Sequence, residues 1–477
     1  MAEDRKPNRL LRRARGEMSQ ARLAELVNGA ILQTTGRPGT ITAKSVSDWE
    51  RGWYSWPIAL ARDALREVLG ASSDADLGFE NRRALEHGDS AEASGSVALV
   101  DLARREAGAA IGIVDVPGGR SFHGAELAAV LSPSVPVDDG VVLELSSGLL
   151  ASLERPHRRT MLIAPILTED GPVVHVADGR EFAASAVRRS DAHRVPHAYR
   201  LDDLTVGVVW AVTNADSAIL ADDSALDFYQ RSLAHYDGTS KSSATLSEVP
   251  KLNGVSSKWL GSEFCARHII RHMPRLTTEP FFWSREQRGE EASAWLLWTH
   301  KLDYLRRTSA RFGTMRRGFC IPEHEVRTSP RYERVLLLLA MALMEAFGIE
   351  VQIAAEPELA EIEGFVLADD VIVANWLRGP GLWYVDTDAP SSRWSTYHGI
   401  SRDAAVKSVV GQPTPAGRLQ AMAAYFDISW KWFVTRNSEL AAAGVDGLAH
   451  PRSRLLSTEG LMTALRYVAN INQPQSP

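Results

Sequence analysis

The sequence predicts a multidomain protein: an all-α head, then a β-rich segment, an α/β domain and C-terminal helices. Three observations carry this. The chain has 477 residues, 45% of them hydrophobic, more than a single core usually organises. Its apolar pattern changes along the chain, from helical spacing in residues 1–80, to short β-branched runs between Gly and Pro near 97–186, to mixed strand and helix signals, and to helical spacing beyond 402. Charge is uneven as well: residues 1–70 hold 12 Lys/Arg against 8 Asp/Glu, whereas the whole chain carries -6. The expected segments are 1–80, a linker at 81–98, 99–200, 201–400 and 401–477.

In the head, residues 8–15 form a helix with Leu10, Leu11 and Ala14 inward and the arginines outward. Ser19 is a helix N-cap, followed by an apolar face of Leu23, Ala24 and Val27. Residues 28–40, with Gly36, Arg37, Pro38 and Gly39, connect to a second helix that begins beside Thr42, buries Val46 and Trp49 and stops at Gly52. Ala43, Lys44, Ser45, Ser47, Asp48 and Arg51 point outward. Trp53, Tyr54 and Trp56 wedge a further helix, 59–69, against the others through Leu60, Ala64, Leu65 and Val68.

The pattern Ser19-Gln20, Leu23-Ala24, then Val46-Ser47-Asp48-Trp49-Glu50-Arg51-Gly52 resembles the DNA-binding domain of XRE-type regulators, the lambda-repressor/Cro class, over roughly the first 80 residues. Its connection is longer than the family's usual tight turn. The resemblance implies a helix-turn-helix head whose second helix enters the major groove of a double-stranded DNA operator. It assigns Gln20, Thr42 and Arg51 to backbone anchoring and Lys44, Ser45 and Asp48 to base reading, with Lys44 suited to guanine and Asp48 to a cytosine amino group. One such head contacts few bases, so a homodimeric transcriptional regulator is expected, its C-terminal region serving dimerisation and the sensing of a small-molecule effector. No cofactor and no catalytic residue are assigned.

Beyond the head, residues 87–96 are small and polar and form the linker. Strands are expected at 111–116, 141–145, 161–164 and 173–176, and a turn rather than a phosphate loop at 117–120. Residues 201–236 read as helical, although 205–209 also fits a strand, with Asp202-Asp203 and Asp222-Asp223 as caps. Residues 284–287 fit a capping box opening a helix through Phe312. A strand at 318–321, a helix opened by Ser329-Pro330 and apolar almost all round to Phe347, a strand at 349–353 and a hairpin across Asp369-Asp370 describe an α/β layer. That layer is faintly similar to the half-domain of phospholipase-D-like proteins, but Phe365, Val366 and Leu367 with Asp369 supply neither the histidine nor the lysine of that motif. At most, the likeness implies a sensor. Helices follow, including 419–433 and a last one capped by Ser457.

Two side-chain constellations stand out. Cys265, His268 and His272 share a helix face, and Cys320 with His324 offers further zinc-type ligands. Three ligands from one helix rarely converge on one ion, so no metal is assigned. His300-Lys301 with Asp303, and Glu323-His324-Glu325, form no recognised nucleophile and base. Only two cysteines argue against a disulfide framework and for a reducing cytoplasm. Residues 1–22 lack a secretory apolar core, and the longest apolar run, 335–344, is about half the roughly 20 residues of a membrane span, so no membrane partner is expected. The alternatives are an enzyme of phosphodiester or nucleotide chemistry, or a protein-interaction module, fused to the DNA-binding head.

Overall fold

The computed structural model describes residues 7–35, 39–52, 57, 59–71, 77–79, 95–104, 111–143, 145, 150, 153, 159–168, 171–188, 194–376, 381–388 and 390–471. It divides into two compact units, Met1–Leu99 with Ala110–Leu127, and Val100–Ala109 with Ala128–Pro477.

The first unit begins with helices α1 (Arg9–Arg15), α2 (Gln20–Thr35), α3 (Ala43–Glu50) and α4 (Ala59–Leu69). Asn8 caps α1 by accepting from Leu11 N, and Ser19 Oγ accepts from Arg22 N at 3.1 Å at the start of α2. Leu11, Leu23, Val27, Val46, Trp49, Ala64, Leu65 and Phe79 close one apolar core, with the Trp49 and Phe79 rings edge to face. Leu10 is 47% exposed and Ala14 is also exposed, so only Leu11 of the expected α1 trio faces inward. The α2 helix runs to Thr35, making residues 28–35 helical where a connection was expected. Strands β1 (Gly95–Ala98) and β2 (Ile111–Val116) pair in parallel. Arg62 of α4, 2% exposed, pairs with Glu126 at 2.7 Å and Asp115 at 3.6 Å, so this helix also carries a buried charge off the apolar face that periodicity assigns to core. Gly36, Arg37, Pro38, the Trp53, Tyr54 and Trp56 wedge and the linker up to residue 94 lie outside the described residues.

In the second unit, residues 128–131 of β3 (Ala125–Leu131) pair in parallel with β6 (Thr160–Thr168), which pairs antiparallel with β7 (Gly171–Asp178). A small antiparallel sheet joins β4 (Ser134–Val137), β5 (Gly140–Leu143) and β8 (Arg194–Pro196). Helices α5 (Gly179–Arg188), α6 (Asp203–Ala221) and α7 (Asp223–Leu233) follow. Asp202 accepts from Leu204 N and Thr205 N, which fixes 205–209 as helix. Among the described residues α6 is the one helix long and apolar enough to cross a membrane, and 78% of that stretch is buried inside the protein.

The main sheet comprises β9 (Lys241–Thr245), β10 (Phe281–Ser284), β11 (Met315–Cys320), β12 (Ile349–Ala354), β13 (Phe365–Leu367), β14 (Val371–Asn375) and β15 (Gly381–Asp386). Its order is β12-β11-β10-β13-β14-β15-β9, parallel from β10 to β12 and antiparallel elsewhere. Helices α8 (Gly254–His272), α9 (Gly289–Leu297), α10 (Thr299–Arg311), α11 (Glu323–Thr328) and α12 (Arg331–Ala346) accompany it. Ser284 ends β10 and caps no helix; Glu291 instead accepts from Gln287 N and Arg288 N at the head of α9. The expected helix to Phe312 is broken at Trp298, whose extended ψ of 122° makes a bridge to Leu456. The hairpin is present, and Asp369 accepts from Thr277 N and Thr278 N, which ties the hairpin turn to that loop.

The chain ends in α13 (Ser391–Val406), α14 (Pro415–Tyr425), α15 (Trp430–Ala443) and α16 (Glu459–Asn470). Residues 419–433 are two helices parted at Asp427, whose φ of 54° no regular helix tolerates. Thr458 takes the last N-cap, while Ser457 Oγ accepts from Glu459 N at 3.1 Å.

Candidate functional site

In the first unit, α3 is held from both ends. Thr42 and Ser45 exchange bonds at its start: Ser45 N donates to Thr42 Oγ1 and Thr42 N to Ser45 Oγ, both at 3.2 Å. At its end Glu50, 8% exposed, accepts from Arg15 Nε at 2.6 Å and Gln20 Nε2 at 2.7 Å, joining α1, α2 and α3. Burial alone would raise the Glu50 carboxyl, but the bonds from Arg15 and Gln20 and the charges of Arg15 and Arg12 outweigh it and hold it below its ordinary value. Behind α3, Asn28 grips Ile41 twice, donating to its carbonyl at 2.8 Å and accepting from its N–H at 2.9 Å. A Cβ on Gly39 would lie 2.3 Å from Asn28 Oδ1, so glycine is what lets the chain pass.

The six residues assigned to DNA contact therefore divide. Lys44 and Arg51 are exposed, Asp48 is half-buried, and their side chains make no hydrogen bond or ion pair among the described residues. Thr42 and Ser45 already use their hydroxyls on each other, and Gln20 has committed one amide N–H to Glu50. Left open are Lys44 and Asp48 on α3 and Arg51 at its C-cap. Asn28, Gly39 and the Arg15–Glu50 pair were not singled out in the sequence; Arg15 and Glu50 lie 35 residues apart, and only the fold joins them.

In the second unit a pocket of about 70 Å³ opens at the carboxyl end of β10, beside β13, where the main sheet reverses its order of growth. Such reversals leave a crevice between diverging connections. Arg317 of β11, 3% exposed, donates through Nη1 to Ser284 Oγ at 2.6 Å and through Nη2 to Tyr304 Oη at 3.3 Å. Among the described residues its Nε–H has no acceptor, and the charge lies 4.7 Å from the Phe282 and Trp295 ring centres. Lys301 of α10 sits 3.7 Å above the Trp295 ring, with Glu286 Oε1 4.0 Å away. Burial is the main cause that lowers the ammonium to about 8; Glu286 opposes the shift and Arg317 adds to it. Burial pushes the Cys265 thiol in the same pocket up to about 12.

The sequence constellations separate here. Cys265 lines this pocket, whereas Cys320 Sγ donates to Glu356 O at 3.2 Å. The His268 and His272 rings lie 4.5 Å apart, and His324 is exposed, 3.7 Å from Glu325. Among the described residues no group of three His, Cys, Asp or Glu side chains is arranged to hold a metal ion. His300 binds Ser262 Oγ at 3.0 Å, and Asp303 turns outward toward Arg307, so of that trio Lys301 alone lines the pocket.

Comparison of the chain with family models, with curated proteins and with solved structures returns no match.

Proposed function

We propose that this protein is a sequence-specific, DNA-binding transcriptional regulator of the helix-turn-helix type, homodimeric and cytoplasmic, whose larger unit takes a small-molecule effector. The observation that carries the reading is the set Lys44 and Asp48 on α3 and Arg51 at its C-cap, exposed or half-exposed and without side-chain partners among the described residues, on a helix braced by the Thr42–Ser45 cap and the Arg15–Glu50–Gln20 cluster. A short helix with long or charged side chains held ready on one face suits the major groove. Dimerisation would set two such helices on half-sites about 34–36 Å apart.

The test is selection of bound fragments from a genomic DNA pool with the full chain. The expected product is a two-fold symmetric motif, and Lys44→Ala should weaken binding by about 1–3 kcal/mol at one base step. Equal loss on selected and scrambled DNA would reduce Lys44 to a phosphate contact, and no enriched motif at all would sink the reading.

A further inference from the structure

We propose that the pocket at the carboxyl end of β10 binds a small organic carboxylate, held by Arg317 and Lys301. The inference stands apart from DNA binding, since every residue it uses belongs to the second unit.

The first argument is the state of the two cations. Arg317 and Lys301 are 3% and 6% exposed, yet no carboxylate among the described residues pairs with Arg317, and Glu286 lies at the outer limit of an ion pair with Lys301. Arg317's partners are two hydroxyls, which accept hydrogen bonds but bring no negative charge. A buried cation left in that condition is costly, and proteins ordinarily pair it. Donors around the pocket are left over as well: among the described residues Arg317 Nε–H has no acceptor and Lys301 makes no side-chain hydrogen bond. Rings of Phe282, Trp295 and Tyr304 surround the guanidinium and stabilise positive charge while excluding water. Any anion entering meets donors already in place, in a medium where charge-assisted bonds are strong.

The second argument sets the ligand's charge and size. Lys301 and Arg317 face one carboxylate here, that of Glu286, leaving one positive charge over. A monoanion balances it, whereas a phosphate dianion would leave a buried negative charge. About 70 Å³ admits a carboxylate and a short carbon stem but no nucleotide. Trp376, whose ring centre lies 5.7 Å from Lys301 Nζ, lines the pocket too and gives that stem an apolar wall.

The experiment uses the full chain with sodium acetate as probe, and sodium phosphate and sodium chloride at matched ionic strength beside it. Thermal unfolding and isothermal titration calorimetry are the readouts. Acetate should raise Tm saturably and bind one per chain, with phosphate no better than chloride. Lys301→Met, which keeps the stem over Trp295, and Arg317→Met should each weaken acetate binding by about 30-fold or more. The proposal is overturned by an acetate response no greater than that of chloride, by a response to phosphate alone, or by acetate binding unchanged in Lys301→Met. Should Arg317→Met fail to fold, the wild-type titration and Lys301→Met still decide it.

Discussion

His175 and His268 are each 1% exposed and buried neutral. Burial, then the neighbouring His197, Arg200 and Arg436, lowers His175 to about 4. Burial, then His272, Arg275 and Arg271, lowers His268 to about 3. In the unfolded chain both protonate near 6.5, so between that value and the folded one the unfolded state binds more protons and stability falls as pH falls. The loss begins below about pH 6.5 and grows until the folded pKa is reached. For His175 it amounts to roughly 3 kcal/mol at one pKa unit per 1.36 kcal/mol. Urea unfolding from pH 7 to 4 should show a steeper decline for the wild type than for His175→Leu; parallel curves would mean that His175 is not held neutral by the fold. The same scale shows what a sequence conceals. Lys44 and Asp48 were legible because helical periodicity tells outward from inward. Arg317 was not, because Ser284, Tyr304 and Arg317 meet only once β10, α10 and β11 are assembled. Arg62 was hidden for a related reason: its partners Asp115 and Glu126 come from strands far along the chain.

At the scale of elements, the joint between α2 and α3 is where the sequence reading and the structure differ most. Asn28 and Gly29 look like the end of a helix, since both residues have weak helix propensity. The helix nevertheless continues to Thr35, and the Asn28 side chain is used sideways to clamp Ile41. That clamp replaces the tight turn: it fixes the residue just before the Thr42 cap and so sets where α3 starts. Asn28→Ala removes both bonds and leaves two Ile41 backbone groups short of partners, a loss of about 2–3 kcal/mol. Thermal unfolding should report it as a lower Tm, with Asn28→Asp no better than Asn28→Ala because its second carboxylate oxygen replaces the donor and faces the Ile41 carbonyl oxygen. An Asn28→Ala head as stable as the wild type would show that the apolar core alone positions α3. Part of the main sheet was legible, because β11, β12 and the β13–β14 hairpin are short runs bounded by Gly, Pro or Asp, where local pattern suffices; β9, β10 and β15 were not read as strands.

Across the whole molecule, chain order is a poor guide to what folds together. The 401–477 helices look like a separate terminal piece, yet they are bonded into the unit that holds the main sheet. Asp216 of α6, fully buried, accepts from Arg159 at 3.0 Å and from the backbone N–H groups of Arg452 and Ser453 at 2.8 Å each. Arg418 of α14 forms a two-pronged pair with Glu345 of α12, both contacts at 2.7 Å. Glu345 also accepts from Val351 N at 3.2 Å, so one carboxylate serves α12, α14 and β12 together. Removing Arg418 alone strands this carboxylate, and Arg418→Ala should cost about 3–5 kcal/mol. Replacing both partners, as Arg418→Met with Glu345→Leu, removes the stranded charge and should recover most of that loss. Recovery should stop short of complete, because the Val351 N–H and the Gln412 and Pro413 carbonyls that Arg418 bonds lose their partners. Denaturant unfolding of the three chains measures both steps. If the double variant were no more stable than Arg418→Ala, the pair would be contributing packing rather than charge, and the terminal helices would be held by their apolar faces alone.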